Sequence, residues 1–259
     1  MPIARFADLA GIDVVWTMAL GGDGAPDVTA VASGLTRSRL GVMIGFGEWP
    51  PAGASEVTVD AGSGTFDLVR DLVANAACEP ARCRVGAVAN DLEAVRPLLT
   101  VVDDLVVPAW RFPDLETAAD EVRAEAQEAG RDPATLGVAA LLPVSIGRTG
   151  TEAEARADRD PRFAELGHPR DVGIFGTLEE CQDRVIALAH AGITDLRCIL
   201  PAAPDVHDVI AQLTAVTIGT TDVLVPGSLR SPAPPPPEGW GGRPEQPPRE
   251  RISGGSRRR

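Results

Sequence analysis

Two hydrophobic periods alternate along the chain. Short continuous apolar runs, each closed by glycine, proline or a polar turn, are followed by longer stretches whose apolar residues recur every three or four positions. Residues 172–216 show the cycle once. Gly176-Thr177 supplies a turn and a helix N-cap, and Glu179 and Glu180 place negative charge in the first turn, where the helix dipole favours it. Leu178, Cys181, Val185, Leu188 and Ala189 form one apolar stripe, while Glu180, Asp183 and Arg184 fall towards solvent. Ala191-Gly192 ends the helix. Leu196, Cys198, Ile199 and Leu200, closed by Pro201, suit a strand covered on both faces, and Asp205 can open another helix. Helix, glycine turn, buried strand and helix make one unit of a parallel α/β fold.

The same pattern predicts strands over residues 13–18, 39–45, 56–64, 83–88, 104–108 and 138–146. Helices are predicted over 4–10, 25–36, 65–77, 91–98, 114–129 and 152–157, with Asn90 as a cap for the fourth and an irregular polar link over 158–170. After Thr221 the chain becomes rich in proline, glycine and arginine. That divides it into a folded domain, residues 1–221, and a tail, residues 222–259, predicted to be disordered with polyproline character near 234–237. The tail is basic and the rest acidic. It can bind its own domain, bind a partner with an acidic surface or a proline-reading groove, or simply be solvated.

Composition narrows the function classes. With 259 residues and 44% hydrophobic content, one large core can be buried, and a single (β/α)8 barrel of about 250 residues fits. A net charge of −13 excludes nucleic acid as an expected partner. All 24 basic residues are arginine, so Schiff-base and P-loop chemistry are excluded. No apolar run reaches signal-peptide or membrane-spanning length, which predicts no membrane association and a cytoplasmic location. Four scattered cysteines, Cys78, Cys83, Cys181 and Cys198, agree with a reducing compartment and lack partners at zinc-ligand spacing.

Several segments, in order, resemble the luciferase-like monooxygenase family, TIM-barrel oxidoreductases that use flavin or the deazaflavin coenzyme F420. They are L-A-G-I-D-V-V-W at residues 9–16, A-V-A-S-G-L-T-R-S-R-L-G-V at 30–42, C-R-V-G-A-V-A-N-D at 83–91, A-G-R-D-P at 129–133, and G-T-L-E-E-C-Q-D-R-V-I-A-L-A-H-A-G-I-T-D-L at 176–196. The resemblance is greatest to the deazaflavin-dependent branch found among arginine-rich, lysine-poor actinobacterial proteins. It implies an incomplete TIM-like barrel. The chain begins about one strand late, about ten residues stand where a helical layer is usual before residue 56, and the usual pocket insertion near residues 77–83 is almost absent.

The resemblance and the barrel architecture together nominate cofactor-contacting positions. Ala87, Val88, Ala89 and Asn90 form a strand–loop–helix junction where backbone N–H groups can face a phosphate; an ordinary capped helix start explains it equally well. Gly62, Ser63 and Gly64 close a strand at a barrel end, or form a plain tight turn. Gly45 and Phe46, with Trp49, can line a flat ring or merely cover the barrel mouth. Asp104 stands where the family more often has glycine, which would narrow the cofactor's approach. No catalytic acid or base and no metal site is predicted. His168 falls in a loop, and His190 and His207 fall in outer helices. Two functions follow as expectations. One is hydride transfer between deazaflavin coenzyme, or FMN, and a small organic substrate. The other is a non-catalytic barrel that acts as a binding or scaffold partner of an intact luciferase-like paralogue; in either case a homodimer, or a heterodimer with such a paralogue, is the expected assembly.

Overall fold

The computed structural model describes residues 3–19, 35, 38–44, 54–60, 69–71, 83–202 and 204–224. The expected helix over 25–36, most of that over 65–77, the site residues Gly45, Phe46, Gly62, Ser63 and Gly64, and the tail lie outside this set.

A parallel sheet organises the described residues. Its strands are β1 (Val14–Ala19), β2 (Arg39–Ile44), β3 (Glu56–Asp60), β4 (Arg84–Val88), β5 (Asp104–Pro108), β6 (Gly137–Ile146), β7 (Ile174–Gly176) and β8 (Asp195–Ile199). They pair in sequence order as far as β6. There the edge divides: Ala139–Pro143 pairs with β8, and Val144–Ile146 pairs with β7. The continuous path is therefore β1-β2-β3-β4-β5-β6-β8, with β7 a three-residue extension. Among the described residues no backbone pair joins β8 to β1, so the barrel is not closed by hydrogen bonds. The expectation of an incomplete TIM-like barrel matches this architecture.

The helices are α1 (Ile3–Ala10), α2 (Leu92–Val95, continued by a 3-10 turn Arg96–Leu98), α3 (Leu115–Glu128), α4 (Gly150–Ala157), α5 (Arg162–Leu166), α6 (Pro169–Val172), α7 (Leu178–His190) and α8 (Val206–Leu224). Most are started by their own side chains. Asp114 accepts from the Thr117 N–H and Thr149 from the Glu152 N–H. Thr177 and Glu180 form a reciprocal capping box at α7, which satisfies two otherwise orphan donors. Cys181, Val185 and Leu188 of α7 are buried as the stripe requires. Leu178 is not: it stands 40% exposed in the first turn.

Alternation along the strands gives two faces. The outward residues Val57, Val59, Val85, Ala87, Leu105, Val107, Val138, Ala140 and Leu142 are buried in the main core with Leu98, Leu115, Val122, Cys181, Val185 and Leu188 from the surrounding segments. A second cluster, Ala7, Val206 and Ile210 with Val15 and Leu200 against it, packs α8 on α1. The helical layer thus bridges the two chain ends where the sheet does not.

Candidate functional site

The inward face of the sheet is built in layers. At the N-terminal end of the strands the layer is charged: Glu56, Thr58, Asp104 and Arg197 are buried, and Arg39 and Arg84 reach in half-exposed. Arg39 Nη1 stands 2.6 Å from Glu56 Oε1, an ion pair without hydrogen-bond alignment. Arg84 donates to Asp104 Oδ1. Arg197 donates to Thr58 Oγ1, stacks 3.9 Å from the Trp16 ring, and pairs loosely with Asp195 at 3.5 Å. Burial pushes the carboxyls of Glu56 and Asp104 above their usual range despite the neighbouring guanidiniums, and burial lowers Arg197.

One register step towards the C-terminal end, the face turns apolar over β4, β5 and β6, with Asp60 of β3 and Asp195 of β8 level with the two ends of that row. Val88, Val106 and Ala139 lie in register across β4, β5 and β6 and are buried together, with Met43 and Leu141 packed against them. In parallel barrels the strand C-termini carry the chemistry and the opposite end carries stability. The two layers divide in that sense: charge plugs the N-terminal end, and an apolar floor underlies the C-terminal mouth.

The expected site residues within the described set fall as follows. Ala87 points outward into the helix-facing core, whereas Val88 belongs to the apolar floor. Ala89 is buried and its N–H donates to Val106 O at 2.8 Å. Asn90 is exposed. The helix cap is Asp91, not Asn90: Asp91 accepts from the Glu93 N–H at 3.0 Å, and the helix that follows has only four residues before tightening to 3-10. Asp104 does not narrow the C-terminal mouth. It opens β5 at the opposite end, where an added Cβ at Gly137 would collide with its carboxylate.

Three further features escape simple reading of the sequence. His168 lies in the short link between α5 and α6, as expected, but it also caps α6, its Nδ1 accepting from the Arg170 N–H at 3.2 Å. Glu154, Asp158 and His168 converge within 4.8 Å. Because Nδ1 already accepts a backbone proton, the neutral ring carries its own proton on Nε2 and offers no lone pair there to an ion. Glu154 is moreover paired with Arg170, whose guanidinium lies 4.8 Å from the Phe175 ring. The trio is built as a capping and ion-pair cluster, not as a metal site. Second, Arg156 is buried and joins α4 to β6 and to the start of α8, through Glu152 and Asp205 at 2.8 Å each, Gln212 at 3.2 Å, and Ile146 O. Third, a groove of about 590 Å³ opens between the end of β6, the start of α7 and α8, lined by Gly147, Arg148, Thr177, Leu178, Ala211 and Gln212 among others. Exposed Leu178 forms part of its wall. His190 and His207 lie in α7 and α8 as expected.

Cys181 and Cys198 have thiols pushed up to about 12 by burial, which makes them packing groups and not nucleophiles. No described helix is long and apolar enough to cross a membrane.

Comparison with known proteins places this architecture. No family model and no curated protein matches the sequence. Solved structures do. A coenzyme F420-dependent tetrahydromethanopterin reductase from Methanopyrus kandleri superposes with a TM-score of 0.61 at 13% identity, over 83% of this chain and 93% of that one. The barrel fold is shared. An F420-dependent secondary alcohol dehydrogenase gives 0.61 at 15% identity, over 84% of this chain and 93% of that one. A long-chain alkane monooxygenase gives 0.60 at 10% identity, over 87% and 84%. These matching structures are F420-dependent oxidoreductases and a monooxygenase, in keeping with the luciferase-like resemblance. At these identities the likeness establishes the fold.

Proposed function

We propose that the chain is a flavin-type oxidoreductase whose cofactor, deazaflavin coenzyme F420 or FMN, lies at the C-terminal mouth of the barrel. The observation that carries this is the inward layer of Val88, Val106, Ala139, Met43 and Leu141, an apolar floor at the end of the barrel where such enzymes work. A flat aromatic ring system fits that floor. The shared fold with F420-dependent enzymes supports the cofactor class.

When bound, the cofactor supplies hydride chemistry with a small organic substrate, and the protein supplies position and environment. Val88, Val106 and Leu141 would exclude water from one face of the ring. Asn90, exposed beside Val88, is placed to meet a polar edge of it. The Ala89 N–H is engaged by Val106 O, so this junction offers a phosphate fewer backbone donors than its sequence suggests. Gly45, Phe46, Gly62, Ser63 and Gly64 follow β2 and β3 in sequence and lie outside the described residues.

Titration of the purified chain with F420 and FMN, read by fluorescence and calorimetry, tests the reading. Binding of one of them at micromolar concentration, weakened about tenfold or more by Val88→Asp, is the expected result, since a charge on the floor meets an apolar ring. Binding of neither at high micromolar concentration sinks it. A second reading, a non-catalytic barrel that pairs with a luciferase-like paralogue or with itself, is favoured by one observation, the unjoined edges of β1 and β8. Light scattering that shows only monomer, with no retention of a co-expressed paralogue, removes it.

A further inference from the structure

The unjoined seam between β8 and β1 is spanned by a side chain instead of a strand ladder. Arg197 projects inward from β8 and is 4% exposed. Its guanidinium donates to Thr58 Oγ1 on β3 and lies 3.9 Å from the centre of the Trp16 ring on β1. These partners are 139 residues away in one case and 181 in the other, on the far side of the seam, so a single group ties the last strand to the first and third. The fit is shaped by glycine. A Cβ at Gly41 would sit 2.5 Å from the indole, so only glycine on β2 lets the ring lie flat beneath the guanidinium.

Its ionic surroundings come from three strands. Asp195 on β8, Glu56 on β3 and Asp104 on β5 supply negative charge, and Glu56 and Asp104 are held in turn by Arg39 and Arg84. A planar guanidinium can stack on the ring and donate in its plane at the same time, which an ammonium cannot do.

We propose that Arg197 is the clasp of the barrel: inserted between Trp16 and Thr58, it holds the β8 edge against β1 and β3 where, among the described residues, no backbone hydrogen bond does. Without it the helical contact of α8 with α1 remains, and the two edge strands loosen locally while the β4–β5 and β5–β6 ladders hold. The clasp is a conformational device independent of whether a cofactor binds at the other end.

Hydrogen exchange on the full-length chain, followed by mass spectrometry, tests this. In Arg197→Met, which keeps the bulk and removes the donor and the charge, the amides of Val14–Ala19 and Asp195–Ile199 should exchange about tenfold faster or more, with β4 and β5 unchanged, because local opening is read segment by segment. Thr58→Val removes only the acceptor and should accelerate the same two strands by a smaller factor. It serves as the deciding variant if Arg197→Met does not fold. Arg197→Lys should fail to restore wild-type protection. Equal acceleration in all strands, or none at β1 and β8, overturns the clasp.

Discussion

The two ends of the chain hold themselves together differently. From β4 to α8, structure rests on devices that stay within that part of the chain: capping side chains, a helical stripe against a sheet, and ion pairs from Asp160 with Arg162 to Arg156 with Asp205. From β1 to β3, the inward face depends on buried charge and on a contact with a strand almost two hundred residues later. The first kind of support survives loss of distant parts. The second works only when the whole barrel is assembled, so the N-terminal side is where this fold should open first.

The contrast can be broken by mutation. Arg156→Ala should produce the largest loss, about 3–5 kcal/mol in urea unfolding, since it leaves Asp205 and Glu152 without their buried partner and frees Ile146 O. A loss under about 1 kcal/mol would show that the C-terminal side does not depend on that hub. Thr177→Ala should cost about 0.5–2 kcal/mol, the usual worth of an N-cap, and should raise exchange at the start of α7 alone.

The smallest effects, and the sharpest contrast, lie in pH dependence. Hydrogen bonding to Arg162 lowers the Asp160 carboxyl from 3.8 to about 2. Its contribution is present above 3.8 and is lost as pH falls through about 2, so the stability advantage over Asp160→Asn should shrink in that window. Glu56 and Asp104 run the other way. Their carboxyls are raised, so the folded state takes up protons more readily than the unfolded chain, and their contribution fades as pH rises through the raised values. Relative to Glu56→Gln, the wild type should therefore gain stability on acidification. Parallel trends for Asp160→Asn and Glu56→Gln would erase the distinction between the two regions.

What the sequence reveals follows the same division. The strands from residues 13–18 to 138–146, the capped helix after Gly176 and the parallel α/β class are legible because each signal lies within a few residues. β7 is not, since Ile174–Gly176 is too short to show a period. The polar link over 158–170 hides α5 and α6, each of four or five residues. Asn90 yields the cap to Asp91, a choice between adjacent capping residues that sequence alone does not settle. The charged inward layer is the largest omission. Glu56, Thr58, Asp104 and Arg197 are single polar residues in apolar strands, and their meeting depends on register and curvature. A hint was present: each lies at alternate spacing on one face, with Gly41, Gly86 and Gly137 leaving room on the same face.

The central claim is that the two ends of the barrel have separate work, the charged layer for closure and the apolar floor for a flavin-type cofactor. Hydrogen exchange of the wild type with and without saturating F420, and likewise FMN, tests it most directly. The account predicts slowed exchange at the C-terminal ends of the strands, from Val88 to Asn90 and after Pro108, with the amides around Glu56 and Asp104 unaltered. No change with either coenzyme, or protection confined to the charged end, would contradict it.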